Sequence, residues 1–406
     1  MIALVCALLA GMLQEPVSFT KAERRAVLSL SPLASPPADP TNRVADDPEA
    51  ARLGQRLFFE ERFSKTEDVS CATCHDPARA FTDGKPLAET LGTSTRHTPH
   101  LWNLAWSRWF FWDGRADSLW AQAAGPIENP IEMGGSRLRL AKVVLEDETL
   151  RPAMESVFGA LPDVGLPDGD ARPGTEAWDA LDEETQRLTT QVLVDVGKAL
   201  AAYERRLVSQ NSPFDQFVLR MREGEPLGAD LLNVSAQRGL KLFIGKGQCM
   251  MCHHGPNFTD GEFHGLRLPV RGGGFPKDAG RFEGVSRLES SELRADGIYS
   301  DASDGERARR SQRLRRSPAT WGEFKTPSLR HVARTAPYMH QGQFATLREV
   351  LKFYSTLEGA TSAGHHQEIL LTPRDFTDQE IDDLIAFLES LTGAPLPESL
   401  LTAPSD

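Results

Sequence analysis

Apolar positions recur along this chain with helical spacing in a few well-separated stretches, and few segments alternate with the period of two that marks a strand. Over 48–59, Ala51, Leu53, Leu57 and Phe58 line up as the buried side of a helix. A longer amphipathic helix is predicted over 182–207 from Leu188, Val192, Leu193, Val196, Leu200 and Tyr203, and Asn211, Ser212 and Pro213 stop it. A further helix is expected over 235–243. The last covers 377–391, where Thr377 and Glu380 form a capping box. There Ile381, Leu384, Ile385 and Leu388 share a face, and Gly393 stands where a C-cap belongs. Trp102, Trp106 and Trp109 also fall on one helical face, closed by Asp113 and Gly114, which predicts a core stripe. The expected fold is mainly α with long loops. Residues 15–48, rich in Pro, Ser, Ala and Asp, read as leader or linker. Residues 272–323 read as an irregular, solvated insertion, with a docking patch at Arg307, Arg309, Arg310, Arg313, Arg315 and Arg316 as the alternative.

The pattern repeats. Gly54, Leu57 and Phe58 recur as Gly239, Leu242 and Phe243, and Phe81-Thr82-Asp83-Gly84 recurs as Phe258-Thr259-Asp260-Gly261. Two similar units in tandem are the economical architecture. The expected division is a leader and linker over 1–45, an N-terminal unit over 46–222 and a C-terminal unit over 223–406.

Between the repeated pieces stand Cys71-Ala72-Thr73-Cys74-His75 and Cys249-Met250-Met251-Cys252-His253. Two thiols a helical turn apart can each form a thioether to one porphyrin, and the following histidine then lies under the iron. Zinc half-sites, a joint four-thiolate zinc site and a redox dithiol are the rival readings. None of them requires a histidine after the second cysteine, and here it follows both times. Two covalently bound haem c groups are therefore expected, held by Cys71, Cys74, His75, Cys249, Cys252 and His253.

The net charge of −12 argues against a nucleic-acid partner. It suits a basic partner such as a small electron-donor cytochrome, although solubility alone would also account for it. Four of the five cysteines are used by the motifs, so no disulfide framework is implied. Cys6 lies in an apolar run over 1–12 that resembles the core of a secretory signal without the basic residues before it, either atypical or truncated. No other stretch approaches the roughly 18 apolar residues of a membrane span. An exported, periplasmic protein that is not integral to the membrane is expected.

Phe111-Trp112-Asp113-Gly114-Arg115-Ala116, then Gln122, Gly125-Pro126 and Glu132-Met133, resemble the bacterial di-haem cytochrome c peroxidase family. So do Lys325-Thr326-Pro327-Ser328-Leu329-Arg330 and Thr335-Ala336-Pro337-Tyr338-Met339-His340. The likeness runs over about 45–392, and the family also contains MauG-type enzymes, which use peroxide to oxidise a partner protein and complete its quinone cofactor. It implies two tandem cytochrome c-like haem domains. His75 would ligate the iron at which peroxide reacts, and His253 the iron that accepts electrons. Glu132 matches the distal acid–base residue, Gln122 and Pro126 match other distal positions, and Trp112 matches a tryptophan between the haems. A carboxylate held over the iron can move a proton from the inner to the outer peroxide oxygen, as O–O heterolysis requires.

The chain departs from that pattern three times. The loop 81–94 carries no histidine where ordinary members place one, and Glu89 stands near its position. An open distal site is expected, with His97 or His100 as a hidden ligand the alternative. Tyr354 stands where the peroxidases ligate the second iron with methionine, as in MauG; the one methionine after Cys252 is Met339. Calcium between the haems would use the carbonyls of Thr335 and Pro337, but His97 replaces the third donor, an asparagine, and imidazole suits calcium poorly. The reading is a peroxidase that reduces hydrogen peroxide with electrons from an external donor, as homodimer or monomer. The alternatives are a MauG-like enzyme acting on a protein substrate, and a non-catalytic di-haem electron carrier or redox sensor.

Overall fold

The computed structural model describes residues 17–228, 230–361 and 368–404, so the apolar run containing Cys6 lies outside the described residues. Helix Pro48–Phe58 starts at Asp47, whose carboxylate accepts from the Glu49 and Ala50 amides. It crosses helix Glu183–Glu204 at Gly54, where a Cβ would fall 1.8 Å from the Ala199 carbonyl oxygen. Helix Val234–Ile244 crosses helix Asp378–Glu389 in the same way, with Gly239 placing a Cβ 1.9 Å from the Asp383 carbonyl oxygen. The repeated glycine therefore lets two backbones touch, and the aromatic four residues later fills the core beneath. Phe58 packs with Leu53, Leu57, Val196 and Tyr203, while Phe243 packs with Leu240, Phe258, Leu384 and Phe387.

The duplication extends beyond those motifs. Thr98-Pro99 recurs as Thr326-Pro327, and Asn103 and His331 both adopt left-handed backbone, φ 60° and 59°. Each enters a single 3-10 turn, Leu104–Trp106 and Val332–Arg334. Phe110 then bridges Ala116 as Tyr338 bridges Phe344. Helices Leu119–Glu128 and Leu347–Thr356 follow, capped by Ser118 and Thr346. At this constant offset Pro126 corresponds to Tyr354, Trp112 to His340 and His97 to Lys325. Among the described residues the only strand pairing is Phe263–His264 with Phe324–Lys325, so the fold is mainly α.

Three expectations are corrected. Residues from 17 onward are not linker: Thr20 caps helix Lys21–Leu28, and Phe19, Val27 and Leu30 are buried in the second core beside Phe214 and Phe217. The insertion 272–323 is not a free loop. It carries helices Arg281–Ser290 and Glu306–Gln312 and folds back on the first unit, where the Ala295 amide and the Ser311 hydroxyl donate to buried Asp117. Lys198 pairs with Asp301 at 2.8 Å, and partly buried Arg307 donates to the Asp117 carbonyl. These charged groups read as solvated because their partners are about a hundred residues or more away in sequence. Trp102, Trp106 and Trp109 share no helix, only the 3-10 turn ending at Trp106; Trp102 instead stacks on His331 at 3.9 Å.

Adding one methyl group tests the helix contact. Gly239→Ala should lower stability by about 1–3 kcal/mol through overpacking. Gly165→Ala, where a Cβ meets nothing within 4 Å, should shift it by less than about 0.5 kcal/mol. Thermal or denaturant unfolding of the two variants checks this.

Candidate active site

A cavity of about 1540 Å³ runs between the two units and is lined by both cysteine–histidine motifs. Cys71 and Cys74 lie on one short helical turn, and the His75 amide closes onto the Cys71 carbonyl at 2.9 Å. The second motif repeats this, with the His253 amide 2.8 Å from the Cys249 carbonyl. Each histidine then places Nδ1 beside the carbonyl of a phenylalanine, Phe81 at 3.1 Å and Phe258 at 2.9 Å. A carbonyl only accepts, so Nδ1 carries the hydrogen and Nε2 keeps its lone pair for a metal. Both phenylalanines stand at positive φ, 60° and 51°, which turns their carbonyls inward. The repeated Phe-Thr-Asp-Gly is thus the device that orients each ligand ring, a role its recurrence alone did not reveal. Burial lowers the proton affinity of both histidines and keeps them neutral.

Burial pushes the thiols of Cys71, Cys74 and Cys249 up to about 12, so they are protonated rather than thiolate ligands. Among the described residues the only cluster of three metal-capable side chains is Cys252, Asp260 and His264, so the four sulfurs build no zinc site. The cavity exceeds the roughly 300–1,000 Å³ usual for one small ligand. The Gln122 and Glu204 side chains at its wall each hold a buried oxygen without a partner among the described residues. Size, paired thiols, free Nε2 atoms and orphaned polar atoms fit two haems.

Helix Leu119–Glu128 brings Gln122 and Pro126 to the cavity, and the turn after it brings Glu132. The Thr90 hydroxyl holds that turn by donating to the carbonyls of Ile131 and Glu132, at 2.8 and 2.9 Å. Burial raises the Glu132 carboxyl above its ordinary pKa, while Arg115 and Asn129 oppose the shift. Sequence reading missed Arg115, which stacks on Phe111 at 3.6 Å and pairs with Asp113 at 3.2 Å. The three residues that might have blocked the first site are held elsewhere. Glu89 pairs with Lys85 on an exposed hairpin. The two nitrogens of His100 are engaged with the Trp102 amide and the Ser328 carbonyl. His97 directs Nδ1 to the Lys85 carbonyl at 2.7 Å.

Tyr354 lines the second half of the cavity with Cys249 and Cys252, at the position equivalent to Pro126. Desolvation holds its phenol above the ordinary tyrosine value. Trp112 lines the same cavity; its indole Nε1 donates to the His97 carbonyl at 2.9 Å, and its ring meets His340 edge-on at 6.5 Å. His340, also unforeseen, stacks on Phe324 at 3.6 Å. Thr335 and Pro337 border the same space.

The family model of the di-haem cytochrome c peroxidases matches residues 48–223. The methylamine utilization protein MauG of Methylorubrum extorquens is 33% identical over 362 residues, covering 88% of this chain and 82% of that protein. Cytochrome-c peroxidase IdrP1 of Denitromonas iodatirespirans is 31% identical, covering 89% and 86%. Among solved structures, a MauG-like protein associated with microbial copper homeostasis aligns with TM-score 0.62 and 27% identity over 92% of this chain and 97% of that one. The diheme peroxidase BthA of Burkholderia thailandensis aligns with TM-score 0.62 and 25% identity, over 91% and 93%. The chain belongs to the di-haem cytochrome c peroxidase family, the peroxide-using oxidoreductases among which MauG is also counted.

Proposed function

We propose that this chain is an exported, periplasmic di-haem c-type peroxidase, with both haems attached through thioethers at Cys71, Cys74, Cys249 and Cys252. The observation that carries the reading is one cavity joining both ligand histidines, with Gln122 and Glu132 on the first side and Tyr354 on the second. When bound, the haems supply the one- and two-electron chemistry of iron. The chain supplies position and protons. His75 and His253 present Nε2, held by the Phe81 and Phe258 carbonyls. Gln122 offers an unpartnered amide oxygen to a bound peroxide, and Glu132 passes the proton between the two peroxide oxygens. Trp112, fixed by its indole hydrogen bond, lies on the route between the two sites.

Tyr354 is the proposed sixth ligand of the second iron. The repeat supports this, because Pro126 borders the first site from the same helical position. Together with the engagement of His97 and His100, it favours the MauG-like reading, in which a residue on a partner protein is the reductant, as the second hypothesis. A small cytochrome meeting the acidic surface is the donor in the first. The unpartnered Gln122 oxygen beside a buried carboxyl counts against a carrier or sensor without turnover. No helix among the described residues is long and apolar enough to cross a membrane. We place the division between units at 212, because helix Pro213–Glu223 buries Phe214 and Phe217 in the second core.

The fully oxidised holoprotein should change its absorption spectrum promptly with one equivalent of hydrogen peroxide. A requirement for prior half-reduction would mean that a hidden ligand covers the first iron. Glu132→Gln should slow peroxide consumption by roughly 10²–10⁴-fold at unchanged haem content. The pH profile gives a second readout. A raised pKa keeps the carboxyl protonated at higher pH, so activity should fall on an acid limb lying above the usual carboxylate range of about 4, and that limb should vanish in the variant. Tyr354→Met should raise the midpoint potential of the second haem by on the order of 0.1 V, within the roughly 0.8 V that axial ligands span; a redox titration checks it.

A further inference from the structure

The repeat sets one residue of each unit against the phenylalanine that orients its ligand ring. Trp102 and Arg330 correspond at the same offset that relates Asn103 to His331. The Trp102 ring meets Phe81 edge-on at 5.4 Å, and the Arg330 guanidinium lies over Phe258 at 5.3 Å. Both are also tied to the backbone just before those phenylalanines. The Trp102 indole Nε1 donates to the Ala80 carbonyl at 3.1 Å, and Arg330 donates from Nε and Nη2 to the Pro256 carbonyl at 3.0 and 2.8 Å. Asp215 holds the buried guanidinium there, at 2.6 and 2.9 Å.

These two arrangements join across the interface. Trp102 of the first unit lies flat on His331 of the second, with ring centroids 3.9 Å apart and planes 13° from parallel. A peptide bond links His331 to Arg330, and the His331 amide donates to the Leu391 carbonyl of the second core at 3.3 Å. A continuous line of hydrogen bonds, ring contacts and covalent bonds therefore connects the two ligand histidines. It runs from His75 through the Phe81 carbonyl and Ala80 to Trp102, across to His331, and through Arg330 to Phe258 and His253. It ends on Nδ1 of each histidine and contains neither Trp112 nor His340.

Charge separates the tryptophans that line the cavity. Over the face of Trp109 stands the Arg281 guanidinium at 4.5 Å, and a cation there opposes removal of an electron from the ring. The imidazole on Trp102 is neutral. Its Nε2 is buried with no partner among the described residues, and burial pushes its pKa down to about 3. We propose that Trp102, stacked on His331, is a second electron relay between the haem units, separate from Trp112 and joining the ligand histidines from their Nδ1 side. Each transfer moves one electron: the iron at one histidine is oxidised as the iron at the other is reduced, and no bond forms or breaks. No proton moves with it, since the carbonyls along the line only accept.

The inference rests on two haems being bound, as proposed above, and not on peroxide as substrate. It is tested on the haem-loaded protein without peroxide. A short, sub-stoichiometric pulse of a radical reductant is given, and the relaxation of the two haem absorbances to their equilibrium populations yields the exchange rate. Trp102→Leu should slow that exchange by about tenfold or more. Iron should stay at about two per chain, with both midpoint potentials unchanged. His331→Asn removes the stack from the other side, and asparagine tolerates the left-handed backbone there, φ 59°. It should slow the exchange in the same way, and Trp102→Leu combined with Trp112→Leu should slow it more than either alone. Exchange at the wild-type rate in Trp102→Leu or His331→Asn would overturn the proposal. So would a slowing that comes only with lost iron or shifted potentials, which is what a purely structural role would produce. If Trp102→Leu does not fold, His331→Asn decides by itself.

Discussion

Each haem unit depends on two helices whose backbones touch at a glycine. Gly54 against Ala199 and Gly239 against Asp383 leave no room for a side chain, so the crossing point is fixed to within a methyl group. The motif cysteines follow the first helix of each pair, Cys71 after the connection 59–70 and Cys249 after the shorter one 245–248. From there the chain has one way to aim the ligand ring: a phenylalanine in left-handed backbone presents its carbonyl to Nδ1. The contact at the glycine sets the helix crossing, and the phenylalanine carbonyl sets the direction and tautomer of the histidine ring.

On this duplicated framework, function lies in the positions that differ. Pro126 has no side-chain donor and leaves room beside Gln122, whereas Tyr354 fills the same place in the second unit with a phenol. Trp112 and His340 meet at the pseudo-two-fold axis, and the buried His97 ring donates to the Lys85 carbonyl where Lys325 turns to the neighbouring Thr326 carbonyl. A symmetric pair would give two equivalent sites. These differences instead leave Gln122 and Glu132 on the first side of the cavity and Tyr354 on the second.

Much of this was legible in the sequence because it depends on local spacing. The Gly-x-x-Leu-Phe repeat and the capping box at Thr377 with Glu380 each need only a few adjacent residues, and both appear as read. The tryptophan stripe failed for the opposite reason. Helical spacing at 102, 106 and 109 is satisfied by chance in a chain that turns through left-handed Asn103, and no periodicity rule sees that turn. The insertion misled because charge reads as solvent exposure until the partner is known, and Asp117 lies nearly two hundred residues before Ser311 and Arg307. The N-terminal helix Lys21–Leu28 was hidden by the proline-rich stretch after it, although Thr20 and Glu23 already form a capping box. The longer repeat from 98 to 126 and 326 to 354 preserves backbone shape more than residue identity, so only coordinates show that Tyr354 and Pro126 correspond.

A line of alternating charge runs from the second unit to Glu132. Asp278, in the insertion of the second unit, pairs with Arg96 at 2.7 Å, and Arg96 pairs with buried Asp113 at 2.6 Å. Asp113 pairs in turn with Arg115, whose charge opposes the burial that raises Glu132. Signs alternate along the whole line, so each buried charge is compensated by the next, and none meets the desolvation cost of an isolated ion. Arg96 also lies next to His97 in sequence and faces the Phe324 ring on which His340 stacks. The burial of Glu132 is therefore opposed by Arg115, which is held by Asp113 and Arg96 of the first unit, and Asp278 of the second unit adds the outermost pair. In this fold the Glu132 carboxyl and the Trp112 indole are tied to neighbouring residues of the chain, the first to Arg96 through Asp113 and Arg115, the second to the His97 carbonyl.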